Sequence, residues 1–171
     1  VSTGIGYLGN IKIAKTAGVL SLFGTISVCG SWTNNYSTAN INAGTSRLYF
    51  YLSNVGINIG GTYPTKLNQV IFGGGGSSGI SLGLDSALII SDTLKLQSTG
   101  SITLNNYSLV ANGNIVMNNS HATTILNSTL YLKGSSNQYL KGTYDLKCYR
   151  VVMNKTANSL TLNKGLSITN T

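Results

Sequence analysis

Short stretches of alternating hydrophobic and polar residues recur along the chain. Examples are Leu94-Lys95-Leu96, Ile102-Thr103-Leu104, Leu130-Tyr131-Leu132 and Leu160-Thr161-Leu162, and Asn, Gly or Ser residues stand between them. Alternation with a period of two places one side of a strand in a core and the other side in water. No window shows the 3.6-residue apolar stripe of a helix. The pattern predicts an all-β chain built from many short strands.

The chain also repeats itself over longer distances. Residues 11–22 align without a gap on residues 151–162, and a third copy of the pattern begins at Val70. The copies lie near 11–28, 70–90 and 151–168, so they begin 59 and 81 positions apart. The difference of 22 residues matches residues 91–113, where apolar positions recur every six to eight residues. Three such steps make one extra coil in a stacked repeat fold.

Strands this short do not form stable isolated hairpins, so their inward side chains must stack on those of neighbouring coils. We therefore predict one continuous parallel β-helix (solenoid) over residues 1–171, with about eight coils of about 21 residues. Neither end carries a polar cap, and an uncapped strand edge invites further pairing. We expect an excerpt of a longer chain, whose partners are further repeats or stacked copies at both ends.

Composition narrows the class of protein. The chain is 42% hydrophobic, which predicts a folded core, and only 8% charged, with 21 Gly and one Pro. Lys and Arg exceed the three acidic residues and give a net charge of +8. A basic surface suits nucleic acid, anionic glycans or a membrane surface, but a solvated face is the favoured interpretation, so we predict no nucleic-acid partner. No apolar run is long enough to span a bilayer.

Three phrases carry a resemblance to a known group of proteins. They are residues 30–35 (GSWTNN), 44–50 (GTSRLYF) and 154–163 (NKTANSLTLN). They resemble the large repeat proteins of Bacteroidota cell surfaces, which are right-handed parallel β-helices and include adhesins exported by type IX secretion. The resemblance covers the chain from about Ile11 onward. It implies a right-handed coil and an extracellular or cell-surface location.

The same resemblance implies a modification. Proteins of that group carry O-linked glycans on a Ser or Thr that follows Asp and precedes an apolar residue. Asp85-Ser86-Ala87 and Asp92-Thr93-Leu94 fit this pattern, so Ser86 and Thr93 are candidate O-glycosylation sites. The alternative is that Asp-Ser and Asp-Thr pairs start turns.

Motifs for catalysis are weak. Residues 74–79 satisfy G-x-G-x-x-G, but a strand-like stretch follows where a dinucleotide site needs a helix, so we predict a turn. The only carboxylates are Asp85, Asp92 and Asp145, too few for the acid pairs or calcium clusters of glycan-cleaving β-helices. His121 has no Asp or Cys close by in sequence. We predict no catalytic residue, no metal and no cofactor.

Cysteine and tyrosine are the remaining residue types with a chemical role to assign. Cys29 and Cys148 are too few for a disulfide framework and fall in different positions of the repeat, several coils apart, so we predict two free thiols. Six tyrosines form a candidate outward aromatic surface, with Tyr49 and Tyr131 in the same outward slot. An aromatic surface suits sugar stacking or cross-strand stiffening, and we favour stiffening. The six are Tyr49, Tyr51, Tyr63, Tyr131, Tyr139 and Tyr144.

The sequence therefore predicts an extracellular structural or adhesive repeat scaffold, such as the shaft of a cell-surface adhesin or filament, and not an enzyme. One alternative is a β-helix that binds or degrades carbohydrate, which would gather carboxylates or aromatic rings in a groove. Another is a self-assembling filament or phage fibre subunit, whose ends would stack on other copies. Surface glycans are the ligands most compatible with the first two hypotheses.

Overall fold

Strands make up nearly all the regular structure of the chain. The computed structural model describes residues 6–51, 57–74, 80–84, 87–98, 102–105, 108–118 and 123–169, and one 3₁₀ turn lies at Thr38–Asn40. No helix within those ranges is long and apolar enough to cross a membrane. The strands are β1 (Ile11–Ile13), β2 (Leu20–Ser21), β3 (Thr25–Val28), β4 (Trp32–Asn34), β5 (Ile41–Asn42), β6 (Arg47–Tyr51), β7 (Ile57–Gly60), β8 (Thr65–Gly74), β9 (Ile80–Leu84), β10 (Leu88–Ser98), β11 (Ile102–Asn105), β12 (Ser108–Ala111), β13 (Asn114–Met117), β14 (Thr123–Gly134), β15 (Gln138–Gly142), β16 (Leu146–Lys155), β17 (Leu160–Leu162) and β18 (Leu166–Ile168).

The strands wind around one axis and stack in parallel into three faces. Face A contains β1, β4, β7, β9, β11, the first parts of β14 and β16, and β18. Face B contains β2 and β5, then the first parts of β8 and β10, β12, and the second parts of β14 and β16. Face C contains β3, β6, the second parts of β8 and β10, β13, β15 and β17. The predicted parallel β-solenoid is confirmed.

The solenoid has fewer turns than the predicted eight. The described strands form seven coils that contain all three faces, and β18 begins a further coil, so the coil count differs slightly from the prediction. The reason lies in the coil length. Paired residues on neighbouring coils lie 20 positions apart at Cys148 and Ile168 but 27 apart at Trp32 and Ile59. Several coils are therefore longer than the sequence repeat suggested.

The core consists of inward side chains stacked in ladders, one coil above the next. On face C, one ladder runs through Phe50, Phe72 and Leu96, of which the first two are fully buried and the third is 1% exposed. The rings of Phe50 and Phe72 stack with their centroids 5.3 Å apart. On face B, Leu88, Leu109 and Leu130 form a second fully buried ladder. Each interior coil is thus covered on both sides by its neighbours.

A polar side chain occupies an inward position on β4. Asn34 stands at the end of this strand, opposite Ile13 on the coil before, and is fully buried. Its Nδ2 donates to the carbonyl of Pro64 at 2.9 Å, and its Oδ1 accepts from the backbone N–H of Tyr36 at 3.0 Å. Buried polar groups are tolerated when they are bonded in this way. Asn34 therefore ties together a corner of one of the longer coils.

The long-range repeat does not have the register that the alignment suggested. The three copies begin at Ile11 on face A, at Val70 on face C and at Val151 on face B. The offset between the outer copies is therefore not a whole number of coils. Leu88 pairs with Leu109, so one coil takes 21 residues in this part of the chain.

We expect Phe72→Ala to lower the free energy of unfolding by about 3–5 kcal/mol, because it opens a cavity in a ladder that is covered on both sides. The matched control is Phe23→Ala near the first coil, where the side chain is 69% exposed. Surface substitutions change stability by about 0.5 kcal/mol or less, so the control should be nearly neutral. Urea denaturation measures both values. Equal losses for the two variants would contradict the ladder core.

Candidate functional site

The outward side of face C presents a regular grid over its first four coils. The outward residues of β3, β6, β8 and β10 align in two rows parallel to the axis. The first row is Thr25, Arg47, Gln69 and Thr93, and the second is Ser27, Tyr49, Ile71 and Lys95. A third, shorter row contains Tyr51, Gly73 and Gln97. Side chains that are far apart in sequence thus become neighbours across about 4.8 Å.

The first row is joined by hydrogen bonds. Arg47 Nε donates to Gln69 Oε1 at 3.2 Å, and Gln69 Nε2 donates to Asp92 Oδ2. The hydroxyl of Thr93 donates to the other oxygen of Asp92 at 3.2 Å. These bonds fix the Gln69 amide and leave the outer guanidinium nitrogens of Arg47 directed to solvent, since Arg47 is exposed. Both oxygens of Asp92 are engaged within the row.

The second and third rows form a floor with an aromatic ring lying across it. Ile71 is half-buried although it points outward, and Gly73 follows it on the same strand. The hydroxyl of Tyr49 lies 2.6 Å from the place where a Cβ on Gly73 would stand, and the Gln97 side chain lies 3.0 Å from that place. The Tyr49 ring therefore extends along the sheet toward the next coil, where the missing side chain of Gly73 makes room for it.

One more tyrosine, Tyr7, borders the grid at its N-terminal side. The rings of Tyr7 and Tyr51 meet with centroids 4.8 Å apart and planes inclined at 40°. Desolvation raises the pKa of Tyr7, and the nearby Tyr49, Tyr51 and Cys29 raise it further. Tyr7 therefore remains a neutral hydroxyl, able to donate or accept a hydrogen bond, at neutral pH.

Part of this grid and the ring of Tyr7 line a shallow groove of about 510 Å³. This volume lies in the range of about 300–1,000 Å³ that is typical of ligand sites. Its cationic groups are Arg47 and Lys95, its ring surfaces belong to Tyr7 and Tyr49, and Gln97 supplies an amide. A smaller depression beside it shares the two cations and extends to the outer residues of the first row. The arrangement combines positive charge, ring faces and neutral hydrogen-bonding groups, as a binding surface does.

The six predicted outward tyrosines do not form one surface. None of them is buried, and Tyr63, Tyr139 and Tyr144 are 39–41% exposed. Tyr49 and Tyr51 lie on face C, where they border the groove, and Tyr139 lies on the same face in a much later coil. The prediction that Tyr49 and Tyr131 share one slot is wrong, because Tyr131 lies on face B between Val110 and Val152. The alignment shifted by one face produced this error.

The candidate O-glycosylation sites are placed only in part. Ser86 lies outside the described residues, as do Asp85 and His121. Thr93 is half-buried on β10, at the edge of the groove, with its hydroxyl directed to Asp92. Its modification stays a prediction, to be tested by mass spectrometry of native material.

The described acidic residues are not brought together. Asp92 belongs to the row of Arg47 and Gln69, whereas Asp145 lies in a turn near the far end, where it accepts from the Gly165 N–H at 2.9 Å. Within the described ranges no three His, Cys, Asp or Glu side chains are close enough to hold a metal ion. The strand β9 follows the glycine-rich segment, as the turn interpretation of that segment expected.

Basic residues at the C-terminal end are dispersed. Lys141 lies on face C, Lys147 on face A and Arg150 on face B. Lys155 donates to the carbonyl of Ser136 at 2.8 Å and to Gln138 Oε1 at 3.0 Å, so it links its coil to the coil before. Lys133 lies 5.2 Å above the Tyr131 ring. The cluster in sequence is therefore not a cluster in space.

Both cysteines are free, as predicted. Cys29 is exposed at the end of β3, and Cys148 is fully buried in the face A ladder. Burial raises the pKa of Cys148 to about 12. A thiol that stays protonated and enclosed is chemically inert.

The sequence did not identify the groove. Arg47, Gln69, Lys95 and Gln97 lack a local motif, and they meet only because the coil lengths bring them into register. Knowing the coil spacing in this region would have revealed the grid. Comparison with known proteins adds no candidate, since no family model, curated protein or solved structure matches this chain. Fold and geometry alone define its class, a parallel β-solenoid.

We expect a maleimide to label Cys29 and leave Cys148 unreacted in the native chain, and to label both after unfolding. Cys29→Ser should then give no native labelling, whereas Cys148→Ser should leave it unchanged.

The pKa of Cys148 also predicts how the free energy of unfolding depends on pH. In the unfolded chain this thiol ionises near pH 9.0, so the stability contributed by its protonated form is complete below that pH and is lost as pH rises toward 12. Rapid native labelling of Cys148 would contradict its place in the ladder.

Proposed function

We propose that this chain is a segment of the shaft of an extracellular structural or adhesive protein, a spacer made of stacked coils. The observation that supports this proposal is the difference in exposure between interior and terminal ladder residues. Leu140 is 3% exposed, but Leu162, which stacks on it, is 50% exposed. Cys148 is fully buried, but its ladder neighbour Ile168 is 58% exposed. An inward ladder residue is therefore buried only where a neighbouring coil covers it, as expected for a spacer built by stacking coils.

The same contrast occurs at the other end. Val28 is fully buried, whereas Leu8, its partner on the coil before, is 55% exposed. Unpaired strand edges and exposed ladder residues at both ends favour continued stacking. A covering coil can come from more of the same chain, as in a long shaft, or from another copy, as in a filament. In both cases the stacked coils act as a spacer, and their outward residues are available for contacts with other surfaces.

The low charge and the high content of Asn, Ser, Thr and Gly fit an outward surface that is polar without being strongly charged. The resemblance to secreted Bacteroidota repeat proteins supports an extracellular location. Protease treatment of intact source cells tests that location directly, because a surface shaft is cleaved while cytosolic proteins are protected. Recovery of the intact chain only from the cytosol would exclude it.

We expect the isolated chain to associate end to end as its concentration rises, and the double variant Leu162→Lys/Ile168→Lys to remain monomeric. Two charges on the terminal ladder would have to be buried without partners at such a junction. The control Val110→Lys/Val116→Lys places the same charges on outward positions of an interior coil and should associate like the native chain. Sedimentation velocity measures the outcome.

Two results would contradict the proposal. One is a native chain that stays monomeric and shows no binding of a hydrophobic dye at its ends. The other is association that the interior control abolishes and the terminal variant leaves unchanged.

A further inference from the structure

From the grid on face C, we infer that the groove between Tyr49 and Lys95 binds an acidic polysaccharide, with a uronate carboxylate on Arg47 and a sugar ring on Tyr49. This inference concerns what the shaft holds on its side, so it is independent of whether coils stack at its ends. It rests on three features of the described residues: free positive charge, an accessible ring lying along the surface, and amides and hydroxyls around both.

The positive charge is available to a ligand. The bond from Arg47 Nε to Gln69 holds the guanidinium in place, and no described carboxylate forms an ion pair with Arg47 or Lys95. Arg presents a planar pair of donors that matches a carboxylate, whereas Lys acts as a point charge. Arg47 and Lys95 lie two coils apart, roughly 10 Å along the axis. They are therefore spaced for different acidic groups of an extended chain.

Asp92 is the counter-charge at this site. Its two oxygens accept from Gln69 and from Thr93, so its charge is partly satisfied within the first row. The two cations outweigh it, and it lies at the side of the groove and not among the groove-lining residues. The two cations thus favour an anionic ligand over the floor of the groove, and Asp92 repels it near the corner between faces B and C.

The ring and the floor favour a sugar. Tyr49 lies along the sheet over Gly73, and the half-buried Ile71 continues the apolar surface beside it. Glycine within a strand is unfavourable and often marks a place where another group must approach closely. Neutral hydrogen-bonding groups line the same groove and match the hydroxyls of a sugar; they are Thr25, Ser27 and Gln97.

A nucleic acid fits the site less well. Backbone recognition of nucleic acid needs a track of several cations along successive phosphates. The groove offers two, and the remaining basic residues of the C-terminal end are dispersed over three faces. Neutral polar side chains outnumber cations in the groove, which is the balance expected for a polyhydroxylated ligand of moderate charge density.

The test is calorimetry with a short oligogalacturonate and with its methyl ester, which has the same sugars without the charge. We expect the acid to bind at least tenfold more tightly than the ester. Arg47→Gln should weaken binding of the acid about tenfold or more, the effect of losing a charge-assisted bond, and leave the ester nearly unchanged. Lys141→Gln removes the same charge from a distant coil of face C and should bind like the native chain.

A second variant tests the ring without removing any ligand-binding group. Gly73→Ala places a methyl group 2.6 Å from the present position of the Tyr49 hydroxyl, so the ring must move. We expect it to weaken binding of both the acid and the ester by a similar factor. Gly9→Ala, where a Cβ meets open space, is the matched control and should have no effect.

Thermal melting of each variant verifies that the coil remains folded. Three results would overturn the inference: equal affinity for the acid and the ester, no detectable binding of either, or unchanged affinity in Arg47→Gln. Tighter binding of single-stranded DNA or of phosphatidylserine vesicles than of the oligogalacturonate would also overturn it, in favour of that other anion.

Discussion

The whole structure depends on the requirement that each coil return an inward side chain to the same place above the previous one. In-register parallel pairing gives the backbone N–H and C=O groups their hydrogen-bond partners, and the ladders exclude water from the interior. Neither works alone, because a strand of three or four residues buries too little surface to hold its own shape. Ladders such as Leu88, Leu109 and Leu130 are therefore the stabilising unit, and each coil depends on its neighbours to bury its inward side chains.

That requirement applies to the inward positions and leaves the corners free. Coils differ in length while the pairing stays parallel throughout, so the extra residues are absorbed between faces. Where a corner is buried, its backbone polar groups need hydrogen-bond partners close by. The Asn34 side chain supplies them to the carbonyl of Pro64 and to the N–H of Tyr36. Long strands such as β10 turn a corner with only a shift of register between Ile90 and Thr93. Length variation thus changes the outline of a coil without disturbing its core.

This division explains what the sequence could predict. Alternation at Leu94, Leu96, Leu130 and Leu132 reports which side faces inward, so the fold class and most core residues follow from it. It does not report which of three similar faces a strand joins. Aligning residue 11 with residue 151 matched one face to another, and matching the strand of Tyr49 with that of Tyr131 did the same, which wrongly assigned the two tyrosines to one outward slot. The groove could not be predicted for the same reason, since the sequence does not show which residues the coil spacing brings together.

The outward rows show how such a fold acquires a site. Outward side chains add little to a ladder core, so their identity can follow ligand chemistry rather than stability. Two outward residues of β8 depart from what stability alone favours. Ile71 presents apolar surface to water, and Gly73 gives up side-chain packing within a strand. Both lie beside or beneath Tyr49, and the outward residue before them, Gln69, is hydrogen-bonded on both sides along the axis. A concentration of such departures at one place indicates that this part of face C is organised for contact with something other than its own coils.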